Sequence, residues 1–319
     1  MKTLSLIAVA LLAAALAPTA LGADLLDRNA TGVKVAANSK GEALFTYSKG
    51  GKVKHVLVWG AMGARTPVKG GQQLKFKFDY AGGYGKYHTA YWKTFKNTCG
   101  EYDGPTIPNM VAACRATDGT YWAAQSWPRP LPNLGFDPFT PEMKSMYLEV
   151  SHWTGDLPVL EVHTDWIYSG RFQQVFGRYT FGGTGVYGFG TTKFGAPTDG
   201  FGVLIYLDTL NSKYGTGWKR ENSFVPHNPT GVFCYGFFTF DPTKGGYKHP
   251  PGQTAMRGPG VGERYRLTAS GPGVLPNVSA EVPGLHPYDA NNPQDVDYNR
   301  TENLILQSWG DSQCKAGSR

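Results

Sequence analysis

The sequence predicts an all-β protein, an antiparallel sandwich or barrel-like set of meanders in one or two lobes, with at most a short C-terminal helix. Short runs of apolar and β-branched residues follow one another with Gly-rich turns between them. The first such runs are residues 33–37, 42–47 and 52–59, which read as a meander of hairpins. Tandem strands at this close spacing are typical of sandwiches and barrels.

Residues 73–80 give the clearest strand pattern in the chain. Their even-numbered positions are Leu, Phe, Phe and Tyr, and two of their odd-numbered positions are Lys. Such alternation indicates a strand with one buried face and one wet face. Helical periodicity is scarce: residues 300–309 are the best candidate, with Asn299 as a cap and Gly310 as a stop.

The N-terminus has the features of a secretory signal peptide, residues 1–23. Lys2 precedes a continuous apolar run, and small residues between Ala20 and Ala23 offer a cleavage site. No later stretch approaches the roughly 18 apolar residues of a membrane helix, so we expect no integral span after signal removal. The sequence therefore predicts a secreted, extracellular or cell-surface protein.

The mature chain is predicted to fold in β-rich parts on either side of a proline-rich segment. Residues 128–141 read PRPLPNLGFDPFTP, a density of proline that cannot continue a central strand. The segment is either a linker between an N-terminal lobe, 24–127, and a C-terminal lobe, 142–319, or a long loop across one sandwich. The 8 Trp, 18 Tyr and 17 Phe exclude a disordered chain.

Charge and cysteines narrow the class of protein further. The net charge is +7, but the basic residues form no run like a nucleic-acid arm, so we expect no nucleic-acid partner. The charge indicates general solubility or, alternatively, mild attraction to an acidic wall or polysaccharide surface. Four cysteines in an exported chain predict two disulfides, and we favour Cys99–Cys114 and Cys234–Cys314. Each is worth roughly 3 to 4.5 kcal/mol on the loop-entropy model.

The strong catalytic and cofactor motifs are missing. The chain has no Gly-x-Ser-x-Gly elbow, no His-Glu-x-x-His, no phosphate-binding Walker loop and no Cys-x-x-Cys zinc pair. Its glycine-rich stretch at residues 258–262 has the wrong spacing for a dinucleotide fingerprint. We therefore expect no cofactor, or at most a divalent cation.

One constellation of polar residues merits attention. The stretch LEVHTDW places Glu161, His163 and Asp165 on one strand face. If the preceding strand folds back as a hairpin with matched apolar faces, Glu149 stands directly across from Glu161, with Cβ atoms roughly 4.5–5.5 Å apart. His152 then falls on the apolar face, as a packed core histidine.

Three interpretations of this constellation stay open. The row is the solvated face of a sheet, which is the commonest reason for such a pattern. Alternatively, Glu161, His163 and Asp165 hold a cation. Or Glu149 and Glu161 act as the acid and nucleophile of a retaining glycosidase, whose two carboxyl groups lie about 5–5.5 Å apart.

A second constellation is aromatic. Flat rings at a surface can stack on the apolar faces of sugars, and the alternative is that they fill a sandwich core. The candidate ligand-binding rings are Tyr84, Tyr87, Tyr91, Trp92, Trp153 and Trp166. We expect a protein that binds a polysaccharide or cell-wall glycan through exposed aromatic residues. The alternatives are a glycoside hydrolase using Glu149 and Glu161, and a structural or protein-interaction surface protein.

Overall fold

The computed structural model describes residues 23–68, 71–128, 145–187, 190–191, 197–198, 205–212, 215–222, 225, 227–237 and 262–314. The predicted signal peptide and the proline-rich segment lie almost entirely outside these ranges. Nearly all regular structure in the described chain is strand, which confirms the all-β fold class.

The strands fall into two groups along the chain. The first group is β1 (Asp24–Arg28), β2 (Thr31–Ala37), β3 (Glu42–Lys49), β4 (Lys52–Trp59), β5 (Lys77–Asp79), β6 (Met110–Arg115), β7 (Tyr121–Pro128) and β8 (Met146–Trp153). The second group is β9 (Val159–Ile167), β10 (Phe172–Phe181), β11 (Thr184–Gly185), β12 (Gly190–Thr191), β13 (Pro197–Thr198), β14 (Ile205–Ser212), β15 (Gly215–Asn222), β16 (Val232–Gly236), β17 (Arg264–Ala269) and β18 (Val278–Pro283).

These strands pair antiparallel in four four-stranded sheets and one two-stranded ribbon. Sheet I has the order β1-β8-β7-β6, and sheet II has the order β2-β3-β4-β5. In sheet III, β10 lies between β9 on one side and β16 and β11 on the other. Sheet IV has the order β15-β14-β17-β18, and β12 pairs with β13. Antiparallel meanders of this kind need one buried face for each sheet.

The buried side chains form two main cores, one for each pair of sheets. The first core joins sheets I and II and includes Phe45, Val56, Trp122 and Val150. The second core joins sheets III and IV and includes Tyr179, Phe233, Leu207 and Tyr265. Burial of each large apolar side chain stabilises the fold by roughly 1.5–3 kcal/mol, so the two packings are the main source of stability.

Strand β8 pairs with strands that precede the proline-rich segment in the chain. It follows the proline-rich segment, yet it lies between β1 and β7 in sheet I. The proline-rich segment therefore connects two neighbouring strands of one sheet. The predicted C-terminal lobe, 142–319, thus begins with a strand that belongs to the sheet of the predicted N-terminal lobe.

The meander β2-β3-β4 forms as the sequence predicts. The turn between β3 and β4 contains Gly50 and Gly51 with φ of 55° and 74°, a conformation that glycine adopts without strain. The turn between β2 and β3 closes through the bond from Gly41 N to Asn38 O at 3.3 Å. Local turn chemistry thus sets the register of the part of sheet II that carries the candidate site.

Three short non-strand elements complete the fold: helix α1 (Tyr84–Tyr87), a 3₁₀ turn (Tyr91–Lys93) and helix α2 (Pro293–Ser308). Helix α2 begins before the predicted helix because Asn292 caps it, accepting from Gln294 N at 3.1 Å, and Pro293 occupies its first turn. No helix of the described chain has the length and apolar character needed to cross a membrane.

Both predicted disulfides are present. Cys99 pairs with Cys114, and Cys234 pairs with Cys314, each with Cα atoms 5.7 Å apart. The first bridge fastens the loop before β6 to that strand. The second fastens the end of the described chain, beyond α2, to β16 and so closes a long loop, where the stabilisation from loop entropy is greatest.

Candidate functional site

The candidate site is centred on Glu42, the first residue of β3. Its buried carboxylate accepts hydrogen bonds from Lys86 Nζ at 2.7 Å, Asn38 Nδ2 at 2.8 Å, Tyr91 Oη at 3.2 Å and Tyr87 Oη. Burial alone would raise the pKa of Glu42, but the bonds from Lys86, Tyr87 and Asn38 outweigh it and hold the pKa below its ordinary value. The carboxylate therefore stays ionised and holds three side chains of one downstream segment.

That segment, residues 80–93, is named the aromatic segment here. Asp79, the last residue of β5, sets its course: Oδ1 accepts from Ala81 N and Oδ2 from Lys86 N, both at 2.9 Å. A buried carboxylate that accepts two backbone N–H groups fixes a tight turn in the way that an Asx turn does. The chain consequently doubles back over sheet II immediately after β5.

Two glycines let the aromatic segment approach its own rings. Gly82 and Gly83 have φ of 65° and 97°. A Cβ on Gly82 would lie 2.7 Å from Trp92 Cδ1, and one on Gly83 would lie 2.6 Å from Tyr91 Cβ. Only glycine combines this backbone conformation with such close contact.

The segment rests on the outer face of sheet II through ring contacts. Trp92 stacks on His55 of β4, with ring centroids 4.1 Å apart and an angle of 8° between the planes. Lys86 Nζ lies 4.3 Å from the centroid of Trp59. His55 is held in turn by Thr46, whose Oγ1 is 3.0 Å from His55 Nδ1. These contacts fix the rings on a rigid sheet rather than on a free loop.

Four of the six predicted ligand-binding rings meet in this segment. Tyr84 is 57% exposed and Trp92 is 37% exposed, while Tyr87 and Tyr91 are half-buried. The rings of Tyr87 and Tyr91 have centroids 4.4 Å apart, and both hydroxyls contact Glu42. The segment thus presents the exposed Tyr84 and the partly exposed Trp92, which rests on His55, beside two tyrosines whose hydroxyls contact Glu42.

The other two predicted rings are not at a surface. Trp153 is 0% exposed and packs on Tyr121 with centroids 5.4 Å apart. Trp166 is 3% exposed, and its Nε1 donates to His286 O at 2.8 Å. Both face covered sides of their sheets, so the prediction that Trp153 and Trp166 bind ligand at a surface is wrong.

The predicted hairpin between β8 and β9 is also wrong. Strand β8 pairs with β1 and β7, and β9 pairs with β10. Glu149 therefore lies opposite Leu25 and Gln125, while Glu161 lies opposite Arg178. The two carboxylates belong to different sheets. A hairpin would have placed like charges side by side, whereas Glu161 now faces a cation across the strands.

Glu149 lies inside the protein. It is 3% exposed, and Asn277 Nδ2 donates to its Oε2. Asn277 N in turn donates to Gln125 Oε1 at 2.8 Å, which links sheet I to the connection between β17 and β18. Burial raises the pKa of Glu149 to about 8, and the neighbouring charge of Asp24 acts in the same direction. Glu149 is therefore a neutral, structural hydrogen-bonding group at pH 7.

Helix α2 packs against part of the row of Glu161, His163 and Asp165: Asp165 is buried, His163 contacts the helix, and Glu161 is exposed. His163 Nδ1 is 2.9 Å from Glu302 Oε2, and Nε2 is 3.0 Å from Glu161 Oε1. The bond to Glu302 raises the pKa of His163 against the effect of burial. Asp165 is fully buried, and burial raises its pKa to about 7, helped by the charge of Glu302. The row is therefore a helix-docking face at His163 and Asp165 and is open to solvent at Glu161.

This docking face does not support a metal site. Within the described parts of the chain, no group of three or more His, Cys, Asp or Glu side chains is arranged to hold a metal ion. Both ring nitrogens of His163 already contact carboxylates. The hypothesis of a cation held by Glu161, His163 and Asp165 therefore finds no support in their geometry. His152, as predicted, is a packed core histidine, with Nδ1 2.7 Å from Ala61 O.

A second buried polar cluster lies on sheet IV. Arg220 Nε donates to Asp208 Oδ1 at 2.5 Å, and Arg266 Nη2 lies 3.4 Å from Asp208 Oδ2. The Arg220 guanidinium lies 4.2 Å from the centroid of Tyr206, and that of Arg266 lies 4.2 Å from the centroid of Trp218. Because one carboxylate faces two cations here, Asp208 is the group on which the cluster depends.

Sequence reasoning missed the anchors of the aromatic segment, Glu42, Asp79 and His55. Glu42 and Asp79 are the only acidic residues between positions 31 and 97, a rarity that marks them in the sequence. No protein-family model, no curated protein and no solved structure matches the chain. The geometry of the site therefore carries the functional assignment.

Proposed function

We propose that the protein binds a glycan at the aromatic segment, without cleaving it. The observation that carries this proposal is the exposure of Tyr84 and Trp92 on a segment that Glu42 and Asp79 fasten to sheet II. Aromatic rings with one open face stack on the apolar C–H faces of sugars, and nearby polar groups bond the hydroxyls. A ring already fixed in place loses little entropy on binding.

The surroundings of the rings suit a sugar. Lys93 Nζ lies 5.4 Å from the centroid of Trp92, and His88 is exposed beside Tyr84, with ring centroids 6.4 Å apart. Amino and imidazole groups next to a ring supply hydrogen bonds to hydroxyls at its edge. The two disulfides fit a protein that acts in an oxidising compartment, and we propose that it meets its glycan outside the cell or at the cell surface.

The hydrolase alternative required Glu149 and Glu161 to lie opposite each other on paired strands, and their strands do not pair. A retaining glycosidase needs two carboxyl groups at about 5–5.5 Å, and Glu149 and Glu161 lie in different sheets. If the aromatic segment instead binds another protein, we expect no polysaccharide to retain the protein. Retention on polysaccharide therefore separates the two roles.

Retention of the purified protein on a panel of immobilised polysaccharides tests the proposal. We expect at least one polysaccharide to retain the wild-type protein, and Trp92→Ala and Tyr84→Ala to weaken retention at least fivefold. Tyr168→Ala is the matched control, because Tyr168 is 46% exposed in the connection between β9 and β10. We expect no reducing-end release with wild type. Equal weakening by the control, or release that Glu161→Gln abolishes, would refute non-catalytic binding at this segment.

A further inference from the structure

The positive charge of the chain is concentrated around the candidate site. Residues 31–97 contain 12 Lys and Arg but only two acidic residues, a net charge of +10. The whole chain carries +7, so the remainder carries −3. This stretch comprises β2 to β5, the aromatic segment and their connections. The lysines form no run of consecutive basic residues, because they are spaced along four strands.

The two acidic residues of the stretch are both engaged by groups of the protein itself. Asp79 uses both oxygens to accept backbone N–H groups, and Glu42 is buried among four donors. Among the described lysines of the stretch, only Lys49 and Lys86 form ion pairs, with Asp27 and Glu42 respectively. The other described lysines leave their charge to solvent or to a ligand.

Strand register places several of these lysines around the aromatic rings. Residues directly opposite one another in a sheet share a face. Lys34 lies opposite Thr46, which lies opposite His55, the residue under Trp92. On the same face, Lys77 lies opposite Trp59, the ring under Lys86.

The exposed members of this set are Lys34 and Lys77 on the sheet and Lys93 on the segment. The rings of the aromatic segment therefore lie on a cationic face of sheet II.

We propose that the glycan bound at this face is an acidic polysaccharide, a polymer whose sugars carry carboxylate or sulfate groups. This inference rests on the glycan-binding function proposed above. Sugar rings stack on Trp92 and Tyr84, and the acidic groups spaced along the polymer lie against Lys34, Lys77 and Lys93. Charge complementarity speeds the encounter and selects against neutral polymers.

The kind of cation favours a polysaccharide over a nucleic acid. Of the 12 basic residues in the stretch, 11 are Lys and one is Arg. Lysine is a flexible point charge, whereas arginine offers the planar pair of donors that reads phosphates and the edges of bases. A face of lysines suits anionic groups spaced along a chain, with no base edge to recognise. Binding of a nucleic acid at the same face is an outcome that the test distinguishes.

The test compares polygalacturonate with its fully methyl-esterified form, which has the same backbone without the charge. We expect the protein to bind polygalacturonate at least tenfold more tightly at 50 mM NaCl. We expect the preference to shrink severalfold at 500 mM NaCl, because salt screens exposed charges. Lys34→Gln/Lys77→Gln/Lys93→Gln should remove most of the preference, and Trp92→Ala should weaken binding to both polymers.

A control variant separates this face from general charge. Arg171→Gln/Lys219→Gln/Arg300→Gln removes the same charge outside the stretch and should leave the preference unchanged. Equal binding of both polymers, or binding of neither, would overturn the acidic ligand, while retention on the panel of immobilised polysaccharides decides separately whether the glycan-binding function stands. An equal effect of the two triple variants, or displacement of polygalacturonate by equimolar single-stranded poly(dT), would also overturn the inference.

Discussion

Among single residues, Glu42 connects the beginning of sheet II to a segment more than forty positions downstream. Its carboxylate accepts the hydrogen bonds that Lys86, Tyr87, Tyr91 and Asn38 would otherwise donate to water. A buried carboxylate is stable only when its lone pairs are filled in this way. The order of the aromatic segment, and hence of the candidate site, depends on this one charge.

Glu42→Gln should lower the free energy of unfolding by about 1–3 kcal/mol, because buried donors then face a neutral amide. Urea titration measures it, and Glu101→Gln, at an exposed position, should change stability by less than about 0.5 kcal/mol. The pKa of Glu42 is lowered on folding, so its contribution is present above the ordinary value of 4.5 and is lost as pH falls through the folded value. A difference between variant and wild type that does not shrink at acid pH would contradict this role.

Gly82→Ala should displace Trp92 from His55, because the new Cβ would lie 2.7 Å from Trp92 Cδ1. Gly32→Ala is its matched control, since Gly32 has a φ of 60° and no atom within 4 Å of the added Cβ. Both variants carry about 1–2 kcal/mol of backbone strain. We expect Gly82→Ala to lose a further 1–3 kcal/mol from overpacking, and to bind glycan more weakly. Equal losses in urea titrations would show that the close approach does not matter.

Among secondary-structure elements, β8 and α2 show how polar groups are accommodated inside the protein. Strand β8 carries Glu149 into the junction between sheet I and the connection from β17 to β18. Helix α2 covers β9, which has β10 as its partner strand, and Asn299 Oδ1 accepts from Trp166 N at 2.9 Å along that edge. A covered edge cannot pair with another chain.

Glu149→Gln should stabilise the protein at alkaline pH. The pKa of Glu149 is about 8 in the fold against an ordinary value of 4.5. The contribution of Glu149 to wild-type stability is therefore fully present below pH 4.5 and is lost as pH rises to about 8, because only the unfolded chain releases the proton over this range. Glutamine retains an acceptor for Asn277, so the advantage of the variant should grow by on the order of 3 kcal/mol across this window. Urea titrations at pH 5 and pH 9 measure it, and a constant difference would contradict a buried neutral carboxyl.

Leu306→Ala should show that α2 is packed rather than loosely attached. Leu306 is 1% exposed and packs with Phe176 and Val232, whereas Leu304 on the same helix is 59% exposed. A cavity under the helix should lower stability by about 2–5 kcal/mol. Leu304→Ala should change it by less than about 0.5 kcal/mol. Thermal unfolding of the two variants in parallel decides the matter, and similar melting temperatures would mean that the helix is not docked.

The accuracy of prediction from sequence differs between these elements for physical reasons. The meander β2-β3-β4 is correct because its register depends on turn residues such as Gly50 and Gly51, which act locally. The hairpin of β8 with β9 is wrong because a strand's partner is chosen by packing with distant strands, and alternation encodes only which face is buried. Glu42 was missed for the same reason, since three of its four donors, Lys86, Tyr87 and Tyr91, are remote in sequence.

Over the whole molecule, charge distinguishes residues 31–97 from the rest of the chain. The +10 of residues 31–97 and the −3 of the remainder place the cationic face of sheet II in a molecule that is elsewhere slightly acidic. A single cationic face with exposed rings gives a ligand one preferred docking surface. The net charge of the whole chain, +7, conceals this arrangement because the two contributions partly cancel.

Hydrogen–deuterium exchange of the whole protein, with and without saturating hexagalacturonate, tests glycan binding at the aromatic segment most directly. We predict slower exchange of backbone amides in residues 80–93 and in β4, where ligand and rings meet, and unchanged exchange in β9 and α2. Trp92→Ala should abolish the protection. Protection confined to β9 and α2, or no protection anywhere at saturating ligand, would contradict the account.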